Sequence, residues 1–255
     1  MKRLILIFLV VFVCAQGSSL NAISLQDRLI VKPRRIVLVR SAKIAKQFPH
    51  RKTATITYPI ISGLRDPAIL RRIRSLLDFK NIFDYSLQEY REDSWLSEFS
   101  YTVNYNHNFL FDITFDQNGE AAYPDDQSKH FLIDLKTGRV ISATDAFLPE
   151  SFGPLAELVN QKLQAELKEI VTQSKQRTDL EASEPQNIAD AFEQMKFEPP
   201  NLNDFEVGEK GITFLYDAGL PHVMRAFEPE GRYFFTYSEL QRYINRGGPL
   251  GQFVR

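Results

Sequence analysis

One alternation constrains this chain more than any other feature. From Tyr101 to Phe115, apolar or aromatic side chains recur at every second position, with His107 holding the same parity. Mostly polar residues fill the gaps. A period of two marks a β-strand with one face buried. Strands usually run about 5–6 residues, so the run predicts two consecutive strands, split near Asn106-His107-Asn108. Asn118-Gly119 just downstream predicts a tight hairpin turn.

Other segments add to a sheet. Thr53 to Ile60 alternates, with Ala54, Ile56, Tyr58 and Ile60 on the predicted inner face. Phe131–Leu135 and Val140–Ser142 flank a Lys136–Arg139 turn, in which Asp134 bonds the backbone. Asp145 is expected to cap a short turn into Phe147. Phe205–Val207, Ile212–Tyr216 and Arg232–Tyr237 form a last group of strands.

Helices come in separate blocks. Asp66-Pro67 supplies an N-cap and a first-turn proline, and Ile69, Leu70, Ile73, Leu76 and Leu77 make one apolar stripe. Arg71, Arg72 and Arg74 lie off that stripe, in solvent. Leu155 to Val171 carries spacings of three and four, predicting a helix over Phe152–Gln173. Ser183 with Gln186 reads as a capping box for a helix over Pro185–Met195, and Ser238 as the cap of a short final helix. Strand groups and helix groups of this kind predict an α+β fold: a largely antiparallel sheet with helices packed on one side.

The N-terminus has a different character. Lys2 and Arg3 precede an unbroken apolar run from Leu4 to Val13, followed by small and polar residues. This is the layout of a secretory signal peptide, and the run is about half the length that a transmembrane helix needs. Residues 1–22 are therefore expected to direct export to the periplasm or beyond, with no stable transmembrane span. Cys14, the single cysteine, lies in that segment, so a processed chain would have no disulfide and no thiolate chemistry.

Charge is unevenly distributed. Between Ile23 and Lys80 there are 14 Lys/Arg and 3 Asp/Glu, net +11; from Asn81 onward there are 15 and 29, net −14. Residues 23–52 read as a basic N-terminal arm, or an edge strand around Ile36–Val39, suited to an anionic envelope polymer. Residues 53–255 then form the folded α+β domain, as one unit or as two packed halves of about 53–98 and 99–255. Nucleic acid is not an expected partner for an exported chain.

No catalytic motif is present: no nucleophile elbow, no His-Glu-x-x-His, no phosphate or dinucleotide loop. No cofactor is implied, and the four histidines lack metal-ligand spacing. His107 reads as a buried histidine satisfied by a neighbour. Two segments could bind a ligand. One is a predicted polar loop carrying Tyr123, Asp125, Asp126 and His130, whose carboxylates could do acid–base work. The other is the long Asp217–Gly231 connection, presenting His222, Arg225 and Phe227, with an arginine and an aromatic suited to protein recognition. The two are expected to lie near each other in space.

Three stretches resemble one family. "FLIDLKTGRVISATDAF" is similar to the strand–Asp-Leu-x-Thr-Gly–strand–Asp-x-Phe segment of the RsiV-like extracytoplasmic domain. That domain also stands beside the catalytic domain of a peptidoglycan deacetylase. "ITFLYDAGLPHVMRAFEPEGRYFFTYSELQRYI" looks like its closing segment, and "TATITYPIISGLRDPAILRRI" like its N-terminal strand–Tyr-Pro–helix unit. The resemblance spans roughly Thr53 to Ile244. It implies an α+β, envelope-facing, non-enzymatic binding module whose ligand is a lysozyme-like protein or a wall glycan. Where the family often has a Gly-Gly-Ala-His loop, this chain reads Gly119-Glu-Ala-Ala-Tyr-Pro. The rival expectation is an envelope hydrolase using carboxylates of the 123–130 segment.

Overall fold

A computed structural model describes residues 27–120, 124–178 and 184–254. The fold is α+β, as the pattern of elements predicts. Six strands form the first sheet in sequential order: β1 (Ile30–Val39), β2 (Thr53–Ser62), β3 (Leu96–His107), β4 (Leu110–Glu120), β5 (Pro124–Asp134) and β6 (Arg139–Val140). Every neighbouring pair is antiparallel except β2–β3, which pairs in parallel at Thr55–Glu98 and Ile56–Phe99. A parallel pair needs a crossover. Here it is built by α2 (Pro67–Leu76), α3 (Phe79–Phe83) and α4 (Leu87–Arg91). A second, antiparallel sheet contains β7 (Phe205–Val207), β8 (Gly211–Leu215) and β9 (Arg232–Thr236).

The basic segment is not a free arm. Residues 30–39 pair along their whole length with β2 as the edge strand β1, and α1 (Ala42–Gln47) follows. Lys32, Arg34 and Arg35 are exposed on that strand. Arg40 is buried, with its guanidinium donating to the carbonyls of Tyr90 and Leu96. Arg51 pairs with Glu120 at 3.1 Å, one ion pair that joins the basic and acidic portions.

Two apolar clusters hold the molecule. Phe111, Ile113 and Phe115 of β4, with Phe99, Phe131 and Ile133, face Ile73, Leu77, Ile82 and Tyr90 of α2–α4. On the opposite face, Leu110 and Leu132 join the cluster of the second sheet. There they meet Phe147, Phe205 and Phe214, and Leu155, Val159 and Leu163 of α6 (Phe152–Ser174). The other helices are α5 (Ala143–Ala146), α7 (Glu184–Phe192) and α8 (Tyr237–Leu240). Among the described residues, no helix is long and apolar enough to cross a membrane.

Local signals mostly act as the sequence implies. Asp66 caps α2, accepting from the amides of Ala68 at 2.7 Å and Ile69 at 3.2 Å. Asp134 accepts from the Lys136 amide at 2.8 Å and the Thr137 hydroxyl at 3.0 Å. Asp145 caps α5 through the Ser142 amide at 2.8 Å. The split of the long alternation falls where expected, with Asn108 and Phe109 at φ of 55° and 61° in the turn. Positive φ at both central residues suits the twist of a two-residue hairpin.

Several expectations change. Asn118-Gly119 is not a turn: it lies inside β4, opposite Asp126 and Asp125. A Cβ at Gly119 would stand 2.5 Å from the Trp95 ring, so glycine is needed there for a side-chain approach rather than a bend. A register shift between Val103 and Tyr105 interrupts the single-face alternation, sending Tyr105 to the opposite core from Val103. Pro33 and Pro59 face each other across β1–β2, and beyond them the inward positions become Pro59 and Ile61, leaving Ile60 42% exposed. Two prolines remove two ladder donors at one rung. His107 is exposed at the end of β3, its ring edge-on to Tyr105. Arg74 and Arg72, though exposed, donate to the Ile61 and Thr137 carbonyls. Thr236 rather than Ser238 caps α8, because the capping box closes with Glu239. Ser183 lies outside the described residues.

Candidate functional site

The predicted 121–130 loop is largely strand. Residues 124–134 pair one for one with 110–120, without a bulge. The hairpin is therefore several residues longer on each side than an Asn-Gly turn would make it. Tyr123 lies outside the described residues, and Asp125 is placed as backbone within β5.

This register sets His130 beside Thr114, on the same face as Asp112 two residues along β4. Both point away from the α2–α4 core. Asp112 is fully buried. Its Oδ1 lies 2.8 Å from His130 Nε2 and accepts from the Asn104 amide at 2.8 Å. Its Oδ2 accepts the backbone amide of Val207 in β7 at 2.8 Å. His130 Nδ1 lies 3.2 Å from Asp204 Oδ1, at the entry to β7. A buried carboxylate needs such partners, because an unpaired charge in the interior is costly. The group thus ties the first sheet to the second.

Burial alone would disfavour the His130 imidazolium, but hydrogen bonds and charge from Asp112 and Asp204 outweigh it, and the pKa is pushed up to about 9. At neutral pH both ring nitrogens are donors, each held by a carboxylate. An imidazolium in this state has no lone pair with which to accept a proton.

Beside this junction opens a cleft of about 1280 Å³. One wall is the polar face of the first sheet, with Thr102, Asn104, Thr114 and Asp116, and the length of β5 from Asp126 to His130. The other is the entry to the second sheet and the Asp217–Gly231 connection, and the end of α3 at Ile82–Asp84 closes one side. The lining holds Lys129, His130, Arg225 and Arg232 as its basic groups. Against them stand Asp84, Asp116, Asp126 and Asp204, then Glu206, Asp217, Glu228 and Glu230. Arg232 donates to Glu206, and Arg225 lies 3.7 Å from Asp126. Glu228 has its pKa raised, first by burial and then by Asp217 and Asp126, with Arg225 opposing.

The structure therefore brings Asp126, His130 and Arg225 into one cleft, and the two candidate segments do meet. Phe227 is elsewhere: it packs on the second core, with the Arg177 guanidinium 5.4 Å from its ring centroid. His222 is placed as backbone in a 3-10 turn, His222–Phe227. The sequence reading missed Asp112, Asp204, Glu206 and Glu230. Asp112 lay within the alternating run, and a lone aspartate among Phe111, Ile113 and Phe115 was the available signal. Among the described residues, no three His, Cys, Asp or Glu side chains are set to hold one metal ion.

No family model and no curated protein matches this sequence. Solved structures do match the fold. A DUF3298-family protein from Bacteroides fragilis superposes with a TM-score of 0.54 at 12% identity, covering 89% of this chain and 96% of that one. A second, from Pseudomonas aeruginosa, gives 0.50 at 13% identity, covering 85% and 94%. The chain shares its fold with DUF3298 proteins. At this identity the likeness extends to the chain path and carries no activity. The cleft of this DUF3298-like fold has to be read from its own residues.

Proposed function

We propose that the protein is an exported, non-enzymatic binding module of the cell envelope, of the RsiV-like kind, and that the cleft between its two sheets receives a basic protein surface such as that of lysozyme. The observation that carries this reading is the cleft's excess of carboxylates over cations, two of whose arginines already have acidic partners within the cleft. A negative concave surface steers a cationic partner and speeds encounter. A wall glycan, the other ligand that the resemblance implies, finds hydroxyl and amide groups at Thr102, Asn104, Thr114 and Ser128. The apolar segment at residues 4–13 supports export. The non-enzymatic part rests on His130, whose two carboxylate partners hold it as a cation instead of a general base.

The test is calorimetric titration with lysozyme and with soluble wall fragments at low and high salt. Complex formation that weakens with salt supports the protein ligand. Salt-independent binding of fragments alone supports the glycan. No heat with either removes the proposal.

Glu228 favours a second reading, an envelope hydrolase. A carboxyl held above its ordinary pKa, here by partial burial and by Asp217 and Asp126, is how a general acid is prepared. If the wild type releases reducing ends from peptidoglycan and Glu228→Gln does not, that reading replaces the first.

A further inference from the structure

Strand β5 is only partly covered. On its outer side it pairs with β6 at Ile133 and Asp134 alone, and the amide of Ile141 donates to the Leu132 carbonyl at 2.8 Å. In an antiparallel strand a residue's N–H and C=O point to the same side, and successive residues alternate. Leu132 faces that outer edge, and the β4–β5 register runs without a bulge. The backbone groups of His130, Ser128 and Asp126 therefore face the same edge. Gln127, Lys129 and Phe131 face β4. Among the described residues, no backbone hydrogen bond reaches the outer edge at 126, 128 or 130.

That edge runs along the cleft. Every residue from Asp126 to His130 lines it, whichever face its side chain takes, as the rim of a sheet would. The open length from Pro124 to Phe131 is about 24 Å at ~3.4 Å per residue. It is flanked by the end of α3 on one side and the Asp217–Gly231 connection on the other.

We infer that the cleft captures an extended, lysine- or arginine-rich peptide segment, which adds to the first sheet as a further strand along β5. This rests on the binding-module reading and specifies its partner. Main-chain hydrogen bonds to the 126, 128 and 130 positions would supply the register. Alternate side chains of the added strand would point to opposite faces. One set would meet Asp84 and the other Asp217, Glu228 and Glu230. The flanking carboxylates argue against a second copy of this chain as the occupant, because pairing two β5 edges would bring Asp84, Asp217, Glu228 and Glu230 of both copies to one seam.

The probe is a short acetylated, amidated peptide of alternating lysine and valine, titrated into the full chain, with amide hydrogen exchange followed by NMR. In the free protein the amides of 127 and 129 are expected to be protected and those of 126, 128 and 130 to exchange fast. Peptide binding should protect the second set and leave the first unchanged. N-methylation of the peptide's amides along one edge should weaken binding about tenfold or more, a control that leaves the protein intact. Ser128→Pro, which removes an outward N–H and spares the β4 ladder, should weaken binding similarly.

Binding without alternate protection, or unaffected by N-methylation, overturns the strand-addition inference. So does protection that grows with protein concentration alone, with a dimer by sedimentation, which would make the occupant a second copy. If lysozyme or wall fragments bind and the peptide does not, this inference fails while the proposed function stands.

Discussion

His130 Nε2 stands 2.8 Å from Asp112 Oδ1, and the other oxygen of that carboxylate accepts the Val207 amide at 2.8 Å. One fully buried side chain thereby joins three strands of two sheets. It fixes the face of the first sheet against the second and so sets the width of the cleft. Asp112→Asn keeps the shape but removes the charge that His130 pairs with. Breaking a buried pair costs about 3–5 kcal/mol. Asp204 keeps hold of the other ring nitrogen, so a loss near the lower figure is expected in denaturant unfolding. A loss under about 1 kcal/mol would show that the pair does not hold the sheets.

The same pair predicts a pH dependence. The folded pKa of His130, about 9, lies above its ordinary value of 6.5. Folding therefore favours the protonated form. The stabilisation is complete below about pH 6.5 and is lost as pH rises through about 9. At about 1.4 kcal/mol per pKa unit it is on the order of 3 kcal/mol. Unfolding midpoints measured from pH 6 to 10 should fall across that window, and in His130→Gln the fall should vanish. A wild-type profile that is flat or rising between pH 7 and 9.5 would contradict this. Tyrosines held protonated by burial, such as Tyr58 at about 12, act only above pH 10.

Gly119 tests why the Asn-Gly signal failed. An added Cβ would meet Trp95 ring atoms and the Trp95 carbonyl oxygen at 2.5 Å. Gly119→Ala should therefore destabilise by about 1–3 kcal/mol, the usual cost of overpacking. In a true turn needing only positive φ, alanine would act through backbone strain and leave Trp95 fluorescence unchanged. Here the emission should shift with the loss of stability.

At the C-terminus, the Phe253 ring stacks on Tyr237 at 4.4 Å between centroids, and Val254 is buried in the second core. Gln252 also donates to the Asn108 carbonyl at 3.1 Å, linking the tail to the β3–β4 turn. Deleting residues 252–255 should cost about 2–4 kcal/mol, from the apolar area lost and the turn contact. A thermal midpoint unchanged by the deletion would contradict that.

Much of this fold was legible because short-range rules governed it. The two-residue period of β3 and β4, the Asp66-Pro67 helix start and the Asp134 and Asp145 turns all depend on neighbours in sequence. The hairpin end was not, because Gly119 answers to Trp95, a neighbour across the sheet. The basic segment admitted both an arm and an edge strand around Ile36–Val39, because a Lys- and Arg-rich edge strand has the composition of a solvated tail; pairing with β2 decides for the strand. Of the site, Asp126, His130 and Arg225 were visible as polar residues in two separate segments. Asp112 and Asp204 were not, because their partner His130 is 18 and 74 residues away. No local pattern encodes such a contact.

The binding surface proposed for this chain is the acidic cleft. The most direct measurement is titration of lysozyme into the wild type and into Asp126→Asn/Glu230→Gln at low salt. The substitutions remove two carboxylates from opposite walls and leave the Asp112–His130 pair untouched. A wild-type complex that weakens with added salt, and at least about tenfold in the variant, is the predicted result. Equal binding by the two proteins, or none by the wild type, would contradict it.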